Sequence, residues 1–339
     1  MKNSNLESTA QSLVAGGKGI LAADETPPTL TRRLDALGIE STPDSRRDYR
    51  EMLFTTPGVA ECISGVIMQD ETIRQKGTKG TMLADVLAQQ GILPGIKVDN
   101  GAKPLAGSSG ETITEGLDGL RDRLKEYRGM GARFAKWRAV IAVSDALPSA
   151  TCVQVNACAL ARYAALCQEQ GVVPIVEPEV LMDGSHAIER CEAVTGNVLR
   201  AVFNALVDHR VSPEGMLLKP NMVLSASKCA SQASVQEVAV ATLRCLSRHV
   251  PAAVSGIVFL SGGQDHLVAT AHLCAMNQLD APRPWKLSFS YGRALQDEAL
   301  KAWQGKKENL KAGQQAFYHR AQCVSAAALG RYSAAMEEA

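Results

Sequence analysis

Eight short apolar segments recur along the 339-residue chain, each bounded by glycine, proline or a polar residue, and this repetition restricts the fold more than any other feature. They lie at about 18–24, 64–69, 92–99, 132–138, 172–179, 215–221, 254–262 and 285–290. Continuous rather than alternating apolarity suits strands covered on both faces. Helical spacing fills the intervals, at 44–54, 82–89, 116–127, 150–168, 186–207, 235–249, 265–277 and 294–303. Strand and helix in alternation predict a parallel sheet with right-handed crossovers. Eight such units predict an α/β fold closed as a (β/α)8 TIM barrel. The strand count and the placement of the polar residues weigh against the competing fold, an open doubly wound sheet. The chain from 294 to 339 carries helical propensity and no strand signal, so a single domain over 1–339 is expected, with barrel strands across about 18–290 and a C-terminal helical segment. Pro27-Pro28 and the run Leu105–Gly110 read as local loop signals.

Charge and cysteine usage exclude several function classes. The net charge is +1 and lysine and arginine are interleaved with aspartate and glutamate, which predicts no nucleic-acid partner. No apolar run reaches the roughly 18 residues of a spanning helix, and the segment Met1–Glu7 lacks the apolar stretch of a signal peptide. A cytoplasmic protein without a membrane partner is expected. Nine cysteines without a C-x-x-C pair predict free thiols that pack as small apolar groups. The six histidines show neither H-E-x-x-H nor another close ligand pair, so neither a metal nor another cofactor is expected.

Residues two apart on a strand share a face, and in a barrel every second one points inward. Strand three ends in Lys97 and Asp99, strand four in Lys136 and Arg138, strand five in Glu177 and Glu179, strand one in Asp24 and strand six in Lys219. All sit at carboxyl-terminal ends, where barrel enzymes build their sites. For one pair, a structural ion pair would explain the charges equally well. The same placement on strand after strand favours a site, since a ring of buried charge costs stability that apolar packing would not. Lys219 closes the apolar run Gly215–Leu218. A lysine in a dry pocket among other cations loses its proton more readily and becomes a nucleophile for a carbonyl, so Lys97, Lys136 and Arg138 around Lys219 predict a Schiff-base enzyme. Glu177, crowded by Glu179, is the expected acid and base for imine formation. Asp24 is then the expected base for a substrate hydroxyl, the trigger for cleaving a carbon–carbon bond beta to the imine.

Ser261-Gly262-Gly263 after strand seven, and Ser290 with Tyr291-Gly292-Arg293 at the end of strand eight, lie where barrels frequently hold phosphate. A phosphorylated substrate is therefore expected. Lys97, Arg32 and Arg33 could hold a second anionic group across the mouth, or the two arginines could be solvated helix residues.

With these residues in view, GILAADE (19–25), GIKVD (95–99), FAKWR (134–138), IVEPE (175–179), LLKPNMV (217–223), FLSGGQ (259–264), FSYGRALQ (289–296) and LKAWQGKKENLKA (300–312) together resemble the class I fructose-bisphosphate aldolases over nearly the whole chain. The resemblance implies a (β/α)8 barrel and reversible cleavage of fructose 1,6-bisphosphate to dihydroxyacetone phosphate and glyceraldehyde 3-phosphate. It implies Lys219 as the Schiff-base lysine, Glu177 as acid and base, and Asp24 as the base at the C4 hydroxyl, with Lys136 and Glu179 assisting. It also implies Ser261, Gly262, Gly292 and Arg293 at the C1 phosphate, and Lys97, Arg33 and Arg138 toward the C6 end. A homotetramer is expected from the resemblance alone.

Three departures bear on the substrate. Thr26-Pro27-Pro28-Thr29 stands where the family commonly has a Ser-Thr-Gly-Ser-like loop at the C6 phosphate, and proline removes backbone donors. Contact there is expected through the Thr26 and Thr29 hydroxyls. Asn100 replaces a usual lysine. Family members often end in a tail bearing a terminal tyrosine, whereas this sequence ends Glu337-Glu338-Ala339 with Tyr332 as its last tyrosine, so enamine protonation is expected by another route, such as water. A Schiff-base aldolase preferring fructose 1-phosphate or sedoheptulose 1,7-bisphosphate is the nearest alternative. A non-catalytic barrel binding a sugar phosphate or a partner is the alternative from another class.

Overall fold

The computed structural model describes residues 2–338. Its strands are Gly19–Ala22 (β1), Ile63–Met68 (β2), Leu93–Lys97 (β3), Ala102–Pro104 (β4), Thr112–Thr114 (β5), Phe134–Ile141 (β6), Val173–Val180 (β7), Leu217–Leu218 (β8), Gly256–Phe259 (β9) and Lys286–Tyr291 (β10). Eight of them close a parallel barrel in the order β1-β2-β3-β6-β7-β8-β9-β10, and Ile20 of β1 pairs with Ser290 of β10 to complete the ring. All eight expected strands are present. The remaining two form an antiparallel hairpin that the sequence reading left as loop. Thr112 and Thr114 donate their hydroxyls to the carbonyls of Val140 and Arg138, which fastens this hairpin over the end of β6.

The barrel interior is apolar at one end and charged at the other, and strand alternation produces both. Ile20, Phe134, Val173, Ile175, Leu217 and Val258 fill the amino-terminal half as one cluster. Leu6, Ala10, Leu13 and Val14, from the helix Lys2–Leu13 and the residue after it, plug the bottom. That helix was not foreseen, because its segment is mostly polar and only three well-spaced apolar residues reach the barrel. Phe134 fits because β2 and β3 supply glycine beside it: a Cβ on Gly95 would lie 2.3 Å from its ring, and one on Gly65 2.9 Å. A larger second cluster joins the outer faces of the strands to the surrounding helices.

The helices match the expected intervals to within a few residues, including Ala150–Glu169, Ile188–Asp208 and Val235–His249. One reading needs correction. Pro27 and Pro28 do not mark a loop; they begin the helix Pro27–Asp35 behind the N-cap Thr26. The first turn of a helix has no use for its backbone donors, so proline's fixed φ starts a helix there at no cost. The C-terminal segment is helical, as Leu310–Ala328 followed by the short turn Ala334–Glu337. Among the described residues no helix is long and apolar enough to cross a membrane.

Candidate active site at the carboxyl-terminal mouth of the barrel

Two residues beyond each apolar layer, the inward side chains become ionic. On β6 the series runs Phe134, Lys136, Arg138; on β7, Ile175, Glu177, Glu179; along β8 and its continuation, Leu217, Lys219. The backbone amide of Lys219 bonds the carbonyl of Val176 at 2.8 Å, so the ladder continues past β8 and fixes the direction of the lysine. Asn221, two residues on, accepts from the Val180 amide at 3.0 Å and donates to Thr195 and to the Met222 carbonyl. It ties the end of this segment to the end of β7.

Lys219, Lys136 and Glu177 are buried together. Lys219 Nζ lies 3.2 Å from Glu177 Oε1, and Lys136 Nζ lies 3.4 Å from Glu177 Oε2 and 2.7 Å from Asp24 Oδ2. Asp99 closes the far side, 4.0 Å from Lys136 and 2.6 Å from Lys97. Arg138 pairs with Glu179 at the rim. The expected bare positive ring around Lys219 is therefore not what forms: Lys97, Lys136 and Arg138 each arrive with a carboxylate. Nor does Glu179 crowd Glu177, since Arg138 holds Glu179 while two lysines flank Glu177. Buried charges persist only when paired, and the strand ends supply both signs.

The titration shifts follow from this arrangement. Burial pushes the Asp24 carboxyl up, but Lys136, with Lys219 and Lys97 behind it, outweighs burial and holds it at about 2. Burial pulls the Lys136 ammonium down, but Asp24, Glu177 and Asp99 raise it well above the usual lysine range. Asp24 and Lys136 are thus a fixed ion pair across neutral pH.

All sixteen residues expected at the site line one cavity of about 720 Å³: Asp24, Thr26, Thr29, Arg33, Lys97, Lys136, Arg138, Glu177, Glu179, Lys219, Ser261, Gly262, Gly263, Ser290, Gly292 and Arg293. One side of the mouth is built for an anion. Gly262 and Gly263 adopt φ of 58° and 87°, and Gly292 is the N-cap of the helix Arg293–Trp303, whose first amides have no partner within the helix. The Arg293 guanidinium lies over Gly263, where a Cβ would meet its Nη2 at 3.3 Å, and it forms no ion pair among the described residues. The Ser290 hydroxyl is buried without a hydrogen-bond partner among the described residues. A group with acceptor oxygens would satisfy that set of donors.

The opposite side is different. Arg33 is held by Glu25, by Asp297 at 2.9 Å and by Gln296 at 3.3 Å, and Arg50, almost fully buried, takes the other oxygen of Glu25 at 2.9 Å. Thr26 and Thr29 share a hydroxyl contact of 3.1 Å, and Pro27 and Pro28 leave the helix start without two backbone donors. Several further lining residues escaped the sequence reading. Arg123 is one, anchored on the carbonyls of Val98 and Gly116; Gln69, Asp70 and Asp183 are others. Arg123 sits on a helix and Asp70 and Asp183 lie off the strand-end pattern that found their neighbours, whereas Gln69 directly follows the second strand but carries no charge to mark it.

Comparison with known proteins gives one answer. A family model described as class-I fructose-bisphosphate aldolase matches residues 5–339. A Xanthomonas campestris protein named "Probable fructose-bisphosphate aldolase class 1" is 56% identical, over 98% of this chain and 99% of its own. The Arabidopsis thaliana "Fructose-bisphosphate aldolase 6, cytosolic" is 55% identical, over 93% of this chain and 88% of its own. The solved fructose-bisphosphate aldolase of Plasmodium falciparum superposes with a TM-score of 0.96 at 46% identity, covering 98% of this chain and 96% of that one.

Proposed function

The chain belongs to the class I fructose-bisphosphate aldolase family, and on that premise we propose how its residues divide the reversible cleavage of fructose 1,6-bisphosphate into dihydroxyacetone phosphate and glyceraldehyde 3-phosphate. The observation that carries the assignment is the contact of Lys219 Nζ with Glu177 Oε1 at 3.2 Å inside the buried ion network. Glu177 accepts a proton from the Lys219 ammonium, the free amine adds to the C2 carbonyl, and Glu177 returns a proton to the carbinolamine hydroxyl, which leaves as water. The product is a protonated imine. Asp24 takes the proton of the C4 hydroxyl, the C3–C4 bond breaks, and its electron pair moves into the imine to give an enamine and the free aldehyde. Lys136 pairs with both Asp24, at 2.7 Å, and Glu177, at 3.4 Å, and so fixes the two carboxylates relative to each other. Glu179 fixes Arg138 at the rim.

The C1 phosphate rests on Ser261, Gly262, Gly263, Ser290, Gly292 and Arg293. Lys97, Arg138, Thr26 and Thr29 serve the C6 phosphate, with Arg33 behind them. The whole chain acts as one domain, assembles as a homotetramer and works in the cytosol; the relatives named cytosolic support the last point. Borohydride reduction in the presence of dihydroxyacetone phosphate tests the assignment. A stable adduct on Lys219 is expected by peptide mass mapping, and its absence, or an adduct on another lysine, overturns it.

A further inference from the structure

On the side of the molecule where the chain ends, the helix Leu310–Ala328 carries His319 and Cys323 four residues apart, hence on one face. Glu337, in the short turn Ala334–Glu337, folds back onto that face. Each residue offers one ligand atom, and the three atoms lie within 4.8 Å of one another. His319 Nε2 is 3.8 Å from Cys323 Sγ and 3.8 Å from Glu337 Oε2. None of the three lines the catalytic cavity.

We propose that His319, Cys323 and Glu337 bind a divalent metal ion of the zinc type, which clips the C-terminal turn to the last long helix. Zinc bonds of about 2.3 Å to sulfur and about 2.0 Å to nitrogen put the tetrahedral N···S edge at about 3.5 Å. The observed separation needs to contract by only a few tenths of an ångström. A nitrogen, sulfur and carboxylate set suits zinc rather than magnesium or calcium. Arg320 holds Glu337 by its other function: its guanidinium pairs with Oε2 and donates to Thr270 on the helix His266–Gln278 at 3.1 Å, so it orients the carboxylate from outside as a supporting residue does at metal sites. Glu337 Oε1 meanwhile is buried with no hydrogen-bond partner among the described residues. An Arg320–Glu337 ion pair alone would not bring a histidine and a thiol beside the same carboxylate.

Thiolate, carboxylate and arginine carry a net charge of −1, so a divalent ion brings the site from −1 to +1. A free thiol is protonated at neutral pH. Binding therefore releases the thiol proton to solvent, while the aqua ion exchanges all but one of its waters for the three protein ligands. The search for paired histidines and C-x-x-C in the sequence passed over this set, because one pair is His and Cys at helical spacing and the third ligand comes from the following turn.

Cobalt(II) titration of the EDTA-treated, dialysed full chain tests the site. One cobalt per chain is expected, with a thiolate-to-metal charge-transfer band and visible bands of tetrahedral intensity, displaced by zinc, and zinc should raise the thermal midpoint. H319A, E337Q and C323S should each weaken cobalt binding at least about tenfold. C158S is the control, because Cys158 stands 4.0 Å from His209 as a second Cys–His pair without a carboxylate, and it should keep the band. Circular dichroism establishes that each variant is folded; should C323S fail to fold, H319A at a half-exposed position reads the same question. Absence of the thiolate band, its survival in H319A, or its loss in C158S overturns the proposal.

Discussion

Replacing Lys136 with methionine tests the reading of the site as a set of mutually dependent ion pairs. Methionine keeps the length and apolar stem of the side chain and removes the charge. At an effective dielectric constant near 20, each of the contacts at 2.7 Å to Asp24 and 3.4 Å to Glu177 amounts to about 5–6 kcal/mol gross, most of which offsets the desolvation of the ammonium. Removing the cation leaves the desolvation of the carboxylates without compensation, a situation that costs about 3–5 kcal/mol. The pH dependence has a definite sign. In the native protein the Asp24 carboxyl is held at about 2 against a usual 3.8, which contributes about 2 kcal/mol of stability above pH 4, lost as pH falls through 2. Without Lys136, burial dominates and the Asp24 carboxyl rises toward or beyond the usual range. The variant then gains stability relative to the wild type as pH falls, because protonation removes an unpaired buried charge. Urea unfolding of both proteins at about pH 8 and about pH 5 should show the deficit of about 3–5 kcal/mol shrinking at the lower pH. A deficit under about 1 kcal/mol at pH 8, or one that grows on acidification, refutes the argument.

Four further outcomes are expected. Glu177→Gln should lower kcat by about 10² to 10⁴ with less effect on KM, since it removes proton transfer and keeps shape; a change confined to KM would assign Glu177 to binding instead. Arg293→Ala should raise KM for fructose 1,6-bisphosphate and for fructose 1-phosphate alike, by about 10- to 100-fold, as the loss of one charge-assisted contact to the phosphate they share. Because Pro27 and Pro28 strip two donors from the opposite side, kcat/KM should favour the bisphosphate over fructose 1-phosphate by less than about tenfold, or 1.4 kcal/mol, and a larger ratio would show that Lys97 and the threonines suffice. Gly95→Ala should cost about 1–3 kcal/mol in urea unfolding, because its methyl group would press on the Phe134 ring in a packed interior; an unchanged midpoint would mean that the ring moves aside freely.

The sequence was most legible where strand alternation and charge coincide. Lys136 and Arg138 follow Phe134 at intervals of two, as Glu177 and Glu179 follow Ile175, so direction and depth could be read from spacing alone. What spacing cannot give is which cation meets which anion. That pairing depends on barrel register: Arg138 of β6 pairs in the ladder with Glu177 of β7 yet its side chain reaches Glu179, while Lys136, two residues lower, reaches Glu177 and Asp24. Asp99 was visible as a strand-end residue, but its part in joining Lys97 to Lys136 required β3 and β6 to be placed side by side. The N-terminal plug escaped for the opposite reason. Leu6, Ala10 and Leu13 are too few among polar neighbours to announce a buried face, and they become core only because the open bottom of the barrel needs filling.

The pairing also bears on catalysis. Around the reacting centre four carboxylates, Asp24, Asp99, Glu177 and Glu179, meet four cations, Lys97, Lys136, Arg138 and Lys219. With Lys219 as an ammonium this set is neutral, and it stays neutral when Glu177 takes the Lys219 proton, which leaves three carboxylates against three cations. Conversion of the amine to a protonated imine restores a positive charge at the same nitrogen, in the same field, without any side chain having to move. A preorganised site stabilises the charge that develops in the reaction more than water can, because its dipoles and ions are already in place. The carboxylates that the bare-cation picture left out are thus the groups that favour the iminium, and the expected instability of Lys136→Met comes from the same pairing.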